Sequence, residues 1–451
     1  MFLTGVIEGF YGRAWSAAQR GEMLDWIVAA EMNAFVYGPK DDVKVRARWR
    51  ELYSNAELEA IGVLGDAARA RDIRFFVAIA PSLDVTYSDP ADLSALQARI
   101  RQLVGRGIVH FVLLFDDIPR EMNQADQASF TSLAAAQAQF SNDTFAGLRA
   151  LVPEAELIFC PTEYCGAFAR PDVARSGYLW DLGQLLDPQI KVFWTGPDIV
   201  SEEIDAASLR QIGAILNRKP VIWENFHAND YDIRRVYAGP LGGRGDDILS
   251  LIDGIITNPN NEFEANFVAV HSTGAWARGG YDEGAALEAA ISAWQPRFKL
   301  AYTEPERHVG REQIRLLTEI CYQPFTCGPE IERLLGVARS LLGVHLPEIT
   351  PAWRAGCAEI VGLRDEIRAL FDVMTELENR DLFYAFHPYL WEAREEVTHL
   401  CSYLEWLSDG PASEAEFPDR ERIYNFYRRG FTVAVQELLK RDGEGRYHHA
   451  D

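Results

Sequence analysis

The sequence predicts an α/β chain: a (β/α)8 TIM barrel that carries the chemistry, followed by an all-α helical domain. Three observations predict it. Eight short apolar runs recur along the first ~260 residues, segments of helical period separate them, and after about residue 300 helical stripes continue alone. Eight alternations favour a closed parallel barrel over an open doubly wound sheet. No GxGxxG follows the first run, which weakens a dinucleotide-binding reading. A chain of 451 residues exceeds one ordinary core, so the expected division is a barrel over 1–300 and a helical domain over 301–451.

The expected strands are Leu3–Glu8, Ala34–Tyr37, Phe75–Ala80, Phe111–Phe115, Glu156–Cys160, Val192–Trp194, Val221–Trp223 and Gly254–Thr257. Their near-continuous apolar character is that of parallel strands covered on both faces. Between the third and fourth, Leu96, Ile100, Leu103 and Val104 form one helical stripe. In the second half Ile360, Leu363, Ile367, Leu370, Met374 and Leu377 share a helical face, as do Val397, Leu400, Cys401, Leu404 and Leu407. Such stripes read as core or subunit contact rather than as a cofactor site. The aromatic segment around Phe383, Tyr384, Phe386, Tyr389 and Trp391 leaves two uses open, burial within the chain or a homodimer contact through the helical domain.

Composition excludes several roles. With Lys+Arg 44 against Asp+Glu 67, the net charge of -23 repels phosphate backbones and anionic membranes, so neither nucleic acid nor membrane is an expected partner. The cysteines, Cys160, Cys165, Cys321, Cys327, Cys357 and Cys401, show no CxxC spacing and read as mostly buried thiols of a reducing compartment, not a zinc site. Met1-Phe2-Leu3-Thr4-Gly5 lacks the basic-then-apolar pattern of an export signal, and a cytoplasmic location is expected.

Each barrel strand should deliver its following loop to one rim, so the residues after the strands can be pooled. They are Glu8-Gly9-Phe10-Tyr11-Gly12-Arg13, Tyr37-Gly38-Pro39-Lys40-Asp41-Asp42, Asp116-Asp117, Pro161-Thr162-Glu163-Tyr164, Trp223-Glu224-Asn225-Phe226-His227-Ala228-Asn229-Asp230 and Asn258-Pro259-Asn260-Asn261. The pool is rich in Asp, Asn, Tyr and Trp, which suits a ligand covered in hydroxyls with one apolar face. Two adjacent carboxylates cannot both ionise freely, so one should be raised toward a general acid, which a glycosidic bond needs. A conventional retaining glycosidase also needs a carboxylate nucleophile ~5–5.5 Å away across the sugar. Neighbours on a strand point in different directions, so Asp116 and Asp117 would not flank one anomeric carbon. The way out is a nucleophile supplied by the substrate, its 2-acetamido oxygen, with Glu8 and Glu163 as the rival enzymic nucleophiles. A hard-cation site at Asp41-Asp42 and Asp116-Asp117 is disfavoured because oxygens at alternate positions are missing.

Gly5-Val6-Ile7-Glu8-Gly9-Phe10-Tyr11-Gly12-Arg13, Tyr37-Gly38-Pro39-Lys40-Asp41-Asp42, Phe115-Asp116-Asp117, Cys160-Pro161-Thr162-Glu163-Tyr164-Cys165, Asn225-Phe226-His227-Ala228-Asn229-Asp230-Tyr231-Asp232 and Thr257-Asn258-Pro259-Asn260 together resemble family 84 of the glycoside hydrolases. These are the retaining, O-GlcNAcase-like β-N-acetylglucosaminidases. Six motifs lie in order across the barrel, while the helical half matches only in general type. The resemblance implies that Asp117 is the general acid/base and that Asp116 accepts the acetamido N–H and steers its oxygen, giving an oxazoline intermediate. It implies that Tyr164 donates to that oxygen, that Trp223 walls the acetyl methyl, and that Asn225 supports the catalytic carboxylate and acetamide region. Gly9 through its carbonyl, Lys40, Asp230 and Asn258 would hold the sugar hydroxyls. No metal or organic cofactor is implied, and the implied partner is a GlcNAc-bearing glycan, glycoprotein or glycopeptide. Ala14, Gly38 and Glu224 stand where relatives often have proline, alanine and aspartate. Lys40 could instead pair with Asp41 or Asp42, Trp223 could simply fill the barrel mouth, and His227 is expected to brace its loop. The alternative function is a catalytically silent GlcNAc-binding module.

Overall fold

The computed structural model describes residues 2–343, 348–410, 417, 430–441 and 447–448. Its strands are β1 Leu3–Glu8, β2 Ala34–Tyr37, β3 Arg74–Ile79, β4 His110–Leu114, β5 Leu157–Cys160, β6 Lys191–Trp194, β7 Val221–Glu224 and β8 Gly254–Thr257. No boundary departs from the expected strands by more than one residue. They close into one parallel barrel in sequence order, with β8 pairing back onto β1 through Leu3–Gly254 and its successors.

Helices cross between the strands, and polar side chains start them. Ser16, Ser54, Asp89, Ser132, Ser176 and Asp205 each accept a backbone N–H in the first turn of the helix that follows, satisfying donors the helix cannot pair itself. Leu96, Ile100 and Leu103 of helix Pro90–Gly105 are buried, as their spacing predicts.

The two-residue period of the strands sorts their side chains. Leu3 and Ile7 of β1, Ala34 and Val36 of β2, Phe76 and Ala78 of β3 and Val112 and Leu114 of β4 share one buried cluster with Ile158, Cys160, Phe193, Val221, Trp223 and Ile256. These residues fill the barrel interior. The alternate set packs outward: the Phe115 ring lies 5.4 Å from Phe159 and 6.5 Å from Phe140, which belongs to helix Leu133–Leu151.

The chain resolves into two compact units. The first is Met1–Asp230, Leu241–Asn261 and Val270–Glu283, and the second is Tyr231–Pro240, Glu262–Ala269 and Gly284–Asp451. The second is built on the long helices Pro351–Thr375 and Arg380–Ser408, which pack along each other. Every member of the two stripes expected there is buried. Of the aromatic segment, Phe386 is buried and contacts Trp294, whereas Tyr384 and Trp391 are exposed. All six cysteines are free thiols, five of them buried. Among the described residues no helix is long and apolar enough to cross a membrane, and no cluster of three or more His, Cys, Asp or Glu side chains could hold a metal ion.

Candidate active site

Extending each inward row past the strand end places the rim residues. Ile7 of β1 leads to Gly9, Val36 of β2 to Gly38 and Lys40, Leu114 of β4 to Asp116, Trp223 of β7 to Asn225, and Ile256 of β8 to Asn258. The structure brings these together. Lys40 Nζ donates to Asp116 Oδ2 at 3.2 Å and not to Asp41 or Asp42. The Trp223 indole N–H and Asn258 Nδ2 both donate to Asn225 Oδ1, at 2.8 and 3.0 Å. Asn225 Nδ2 donates to the Ile199 carbonyl at 2.9 Å, so this amide orients Trp223 and Asn258 and hydrogen-bonds neither aspartate.

Asp116 is buried, and its Oδ1 has no hydrogen-bond partner among the described residues. A buried carboxylate oxygen left open is costly unless a ligand donor meets it. Asn258 Oδ1 is open in the same way. Burial alone would lower the pKa of the Lys40 ammonium, but the facing Asp116 and Tyr11 outweigh it and the net shift is upward. Lys40 therefore stays a cation beside Asp116.

Asp117 follows the outward phase of Phe115 and, continued as a strand, would leave the pocket. Instead its φ is 53°, a left-handed conformation uncommon for a residue with a side chain. The turn re-aims it. The Tyr164 hydroxyl donates to Asp117 Oδ1 at 2.9 Å and the Tyr11 hydroxyl to Oδ2 at 3.3 Å. Burial pushes both tyrosine pKa values up, so both stay protonated donors. Asp117 is exposed where Asp116 is buried.

The other rim carboxylates are closed. Glu8 accepts from Arg20 through both oxygens, at 2.7 and 2.9 Å, and from the Trp15 N–H at 2.8 Å. Glu163 accepts from Arg120 at 2.7 Å and from the Ser176 hydroxyl at 2.6 Å. Glu224 accepts from Arg244 through both oxygens at 2.7 and 2.8 Å, and from the Phe226 N–H at 2.9 Å. All three glutamates lie one residue out of phase with the inward rows.

The loop after β1 forms one wall. Asp230 Oδ2 accepts the Tyr11 N–H at 2.9 Å, and burial raises the Asp230 pKa. The space over Gly9 is taken by Trp223: a Cβ there would come within 2.9 Å of the indole. Gly12, at φ 154°, has Asn261 against it, and Asn261 Nδ2 ties back to the Tyr11 carbonyl at 2.9 Å. Both glycines thus admit side chains of the protein. At Gly38, a Cβ would lie 2.9 Å from that of Ala78, so a larger residue there would need Ala78 to shift. His227 is fully buried.

Sequence reasoning missed Arg46. Its guanidinium donates to the Asp117 carbonyl at 3.1 Å and hydrogen-bonds the Tyr11 hydroxyl. The available signal was its place six residues beyond Lys40 in the same rim loop, which by itself does not distinguish Arg46 from Arg48.

A family profile described as NAGidase, beta-N-acetylglucosaminidase, matches residues 4–304. Protein O-GlcNAcase of Mus musculus is 46% identical over 275 residues, covering 61% of this chain and 30% of that protein. Protein O-GlcNAcase of Rattus norvegicus gives the same values. The match thus spans 30% of the length of these curated relatives. A solved O-GlcNAc hydrolase mutant of Thermobaculum terrenum shares the fold with a TM-score of 0.79 and 24% identity, covering 90% of this chain and 84% of its own.

Proposed function

This chain belongs to the β-N-acetylglucosaminidase family, family 84 of the glycoside hydrolases, and we propose that it removes terminal β-linked GlcNAc with retention through an oxazoline intermediate. The observation that carries the reading is the unequal treatment of the rim carboxylates. Glu8 and Glu163, the candidates for an enzymic nucleophile, have both oxygens engaged, while Asp116 keeps one buried oxygen without a partner among the described residues.

In the first step the acetamido N–H donates to Asp116 Oδ1, the acetamido carbonyl oxygen attacks the anomeric carbon, and the bond to the leaving oxygen breaks. Asp117 gives its proton to that oxygen. Tyr164 turns its hydroxyl from Asp117 to the acetamido oxygen, and Trp223 walls the methyl. In the second step water attacks the anomeric carbon, Asp117 takes its proton, the carbon–oxygen bond of the oxazoline breaks and the acetamide is restored. Lys40, Asp230, Asn258 and the Gly9 carbonyl hold the sugar hydroxyls. The mouse and rat relatives are named protein O-GlcNAcase, and by that likeness GlcNAc on a polypeptide is the proposed substrate.

The test is nitrophenol release from the aryl β-GlcNAc glycoside by the wild type and by Asp117→Ala. Turnover should fall about 10²- to 10⁴-fold for poor leaving groups and far less for nitrophenol, because a good leaving group needs no acid. No turnover by folded wild type would favour the silent GlcNAc-binding module, and equal losses on both substrates would remove Asp117 from the acid role.

A further inference from the structure

A charged side chain in the left-handed region costs energy, and the surrounding structure must hold it there. For Asp117, at φ 53°, the holder on the backbone side is Arg46, whose Nη2 donates to the Asp117 carbonyl at 3.1 Å. The same guanidinium reaches the carboxylate side. Its Nη1 donates to the Tyr11 hydroxyl oxygen, and its carbon lies 5.9 Å from the Tyr11 ring centroid. A phenol carries one hydrogen. With Arg46 donating into that oxygen, the hydrogen is left for Asp117 Oδ2, the acceptor 3.3 Å away. One arginine therefore grips Asp117 at both ends.

Arg46 is itself set between two anchors. Val45 is fully buried, its N–H bonded to the Asp42 carbonyl at 2.8 Å and its own carbonyl to the Ala80 N–H at 2.7 Å. Trp49 is fully buried, with its indole N–H on Asp84 at 2.8 Å. Asp42 in turn accepts the Tyr37 and Tyr53 hydroxyls at 3.0 and 2.9 Å. A side chain on a segment pinned in this way is pre-organised rather than mobile.

We infer that Arg46 is a positioning residue for the acid/base, acting through Tyr11 and through the Asp117 carbonyl. The inference rests on the proposed role of Asp117. When substrate draws the Tyr164 hydroxyl to its acetamido oxygen, Oδ1 is released to carry the acid proton, while Arg46 and Tyr11 keep Oδ2 and the backbone in place. The groups that face Asp117 electrostatically are Tyr11, Tyr164, Asp230, Asp116, Cys160 and Arg46. Lys40 is engaged by Asp116, which leaves Arg46 as the cation bonded to Asp117 itself.

Arg46→Met, Arg46→Lys and Tyr11→Phe test this with a pH profile of kcat/KM on nitrophenyl and alkyl β-GlcNAc glycosides. A hydrogen bond and a nearby cation both favour the charged carboxylate, so their loss should move the alkaline limb of the profile to higher pH. For Arg46→Met the expected result is that shift, together with a loss of about tenfold to a hundredfold on the alkyl glycoside and a smaller loss on the nitrophenyl one. Arg46→Lys keeps the charge with fewer donors and should recover part of the limb. Tyr11→Phe should cost less in the Arg46→Met background than in the wild type, because the two act along one path. Should Arg46→Met fail to fold, Tyr11→Phe and Arg46→Lys carry the test. Equal losses on both substrates with an unmoved limb would overturn the inference. Asp117→Ala run alongside separates the two claims: if it lacks leaving-group dependence, the acid assignment itself falls.

Discussion

Glu8, Glu163 and Glu224 stand on the same barrel rim as Asp116 and Asp117, yet each glutamate carboxylate is held by an arginine while the aspartate carboxylates are held by a lysine and by tyrosine hydroxyls. The donors differ in what they leave open. A guanidinium fork reaches both carboxylate oxygens at once, as Arg20 and Arg244 do, and leaves neither oxygen without a partner. An ammonium is a point donor, and Lys40 occupies one oxygen of Asp116 and leaves the other open. A phenol has one hydrogen that can turn to another acceptor, so the grip of Tyr164 on Asp117 can be released. Strand phase sorts most of them: the out-of-phase glutamates fall among arginines and the in-phase residues gather at the barrel mouth, whereas Asp117, also out of phase, is turned back by its left-handed backbone.

The comparison can be broken from its closed side. Glu224 and Arg244 each have a side chain only 1% exposed, so Glu224→Gln leaves a buried guanidinium without its counter-charge. The expected cost is about 3–5 kcal/mol of stability by denaturant unfolding, and a change below about 1 kcal/mol would mean that the carbonyls around Arg244 suffice. On the open side, Gly9→Ala forces a Cβ to within 2.9 Å of the Trp223 indole. Displacing that wall should cost about 1–3 kcal/mol in kcat/KM with folding intact, and an unaltered kcat/KM would remove Trp223 from the pocket wall. The smallest effect sharpens the contrast most: Glu163→Gln should keep turnover within about tenfold of wild type, whereas loss of an enzymic nucleophile costs orders of magnitude more. Azide rescue of Glu163→Gln with inversion at the anomeric carbon would reverse the assignment.

Much of the fold and the site was legible in the chain because barrel strands announce themselves twice, as apolar runs and as phase. Asp116 follows Leu114 by two residues, and Asn258 follows Ile256 by two, so their shared direction follows from spacing alone. What was not legible is pairing across sequence distance. Nothing in the run Pro161-Thr162-Glu163-Tyr164 shows that Arg120 will reach Glu163, or that Glu8 will be claimed by Arg20 rather than by a sugar. The left-handed turn at Asp117 was hidden for a related reason. Aspartate adopts it at a cost that only the surrounding contacts, Arg46 among them, can offset.

The central claim is that the substrate supplies its own nucleophile because the enzyme's spare carboxylates are taken. It is tested most directly by kcat/KM for nitrophenyl β-GlcNAc glycosides whose N-acetyl methyl carries zero, one, two or three fluorines. Fluorine withdraws electrons from the acetamido oxygen, so the account predicts a steep fall at each substitution and a shallower slope in Asp116→Asn. A flat series in the wild type would contradict the account and return Glu8 and Glu163 to consideration as the nucleophile.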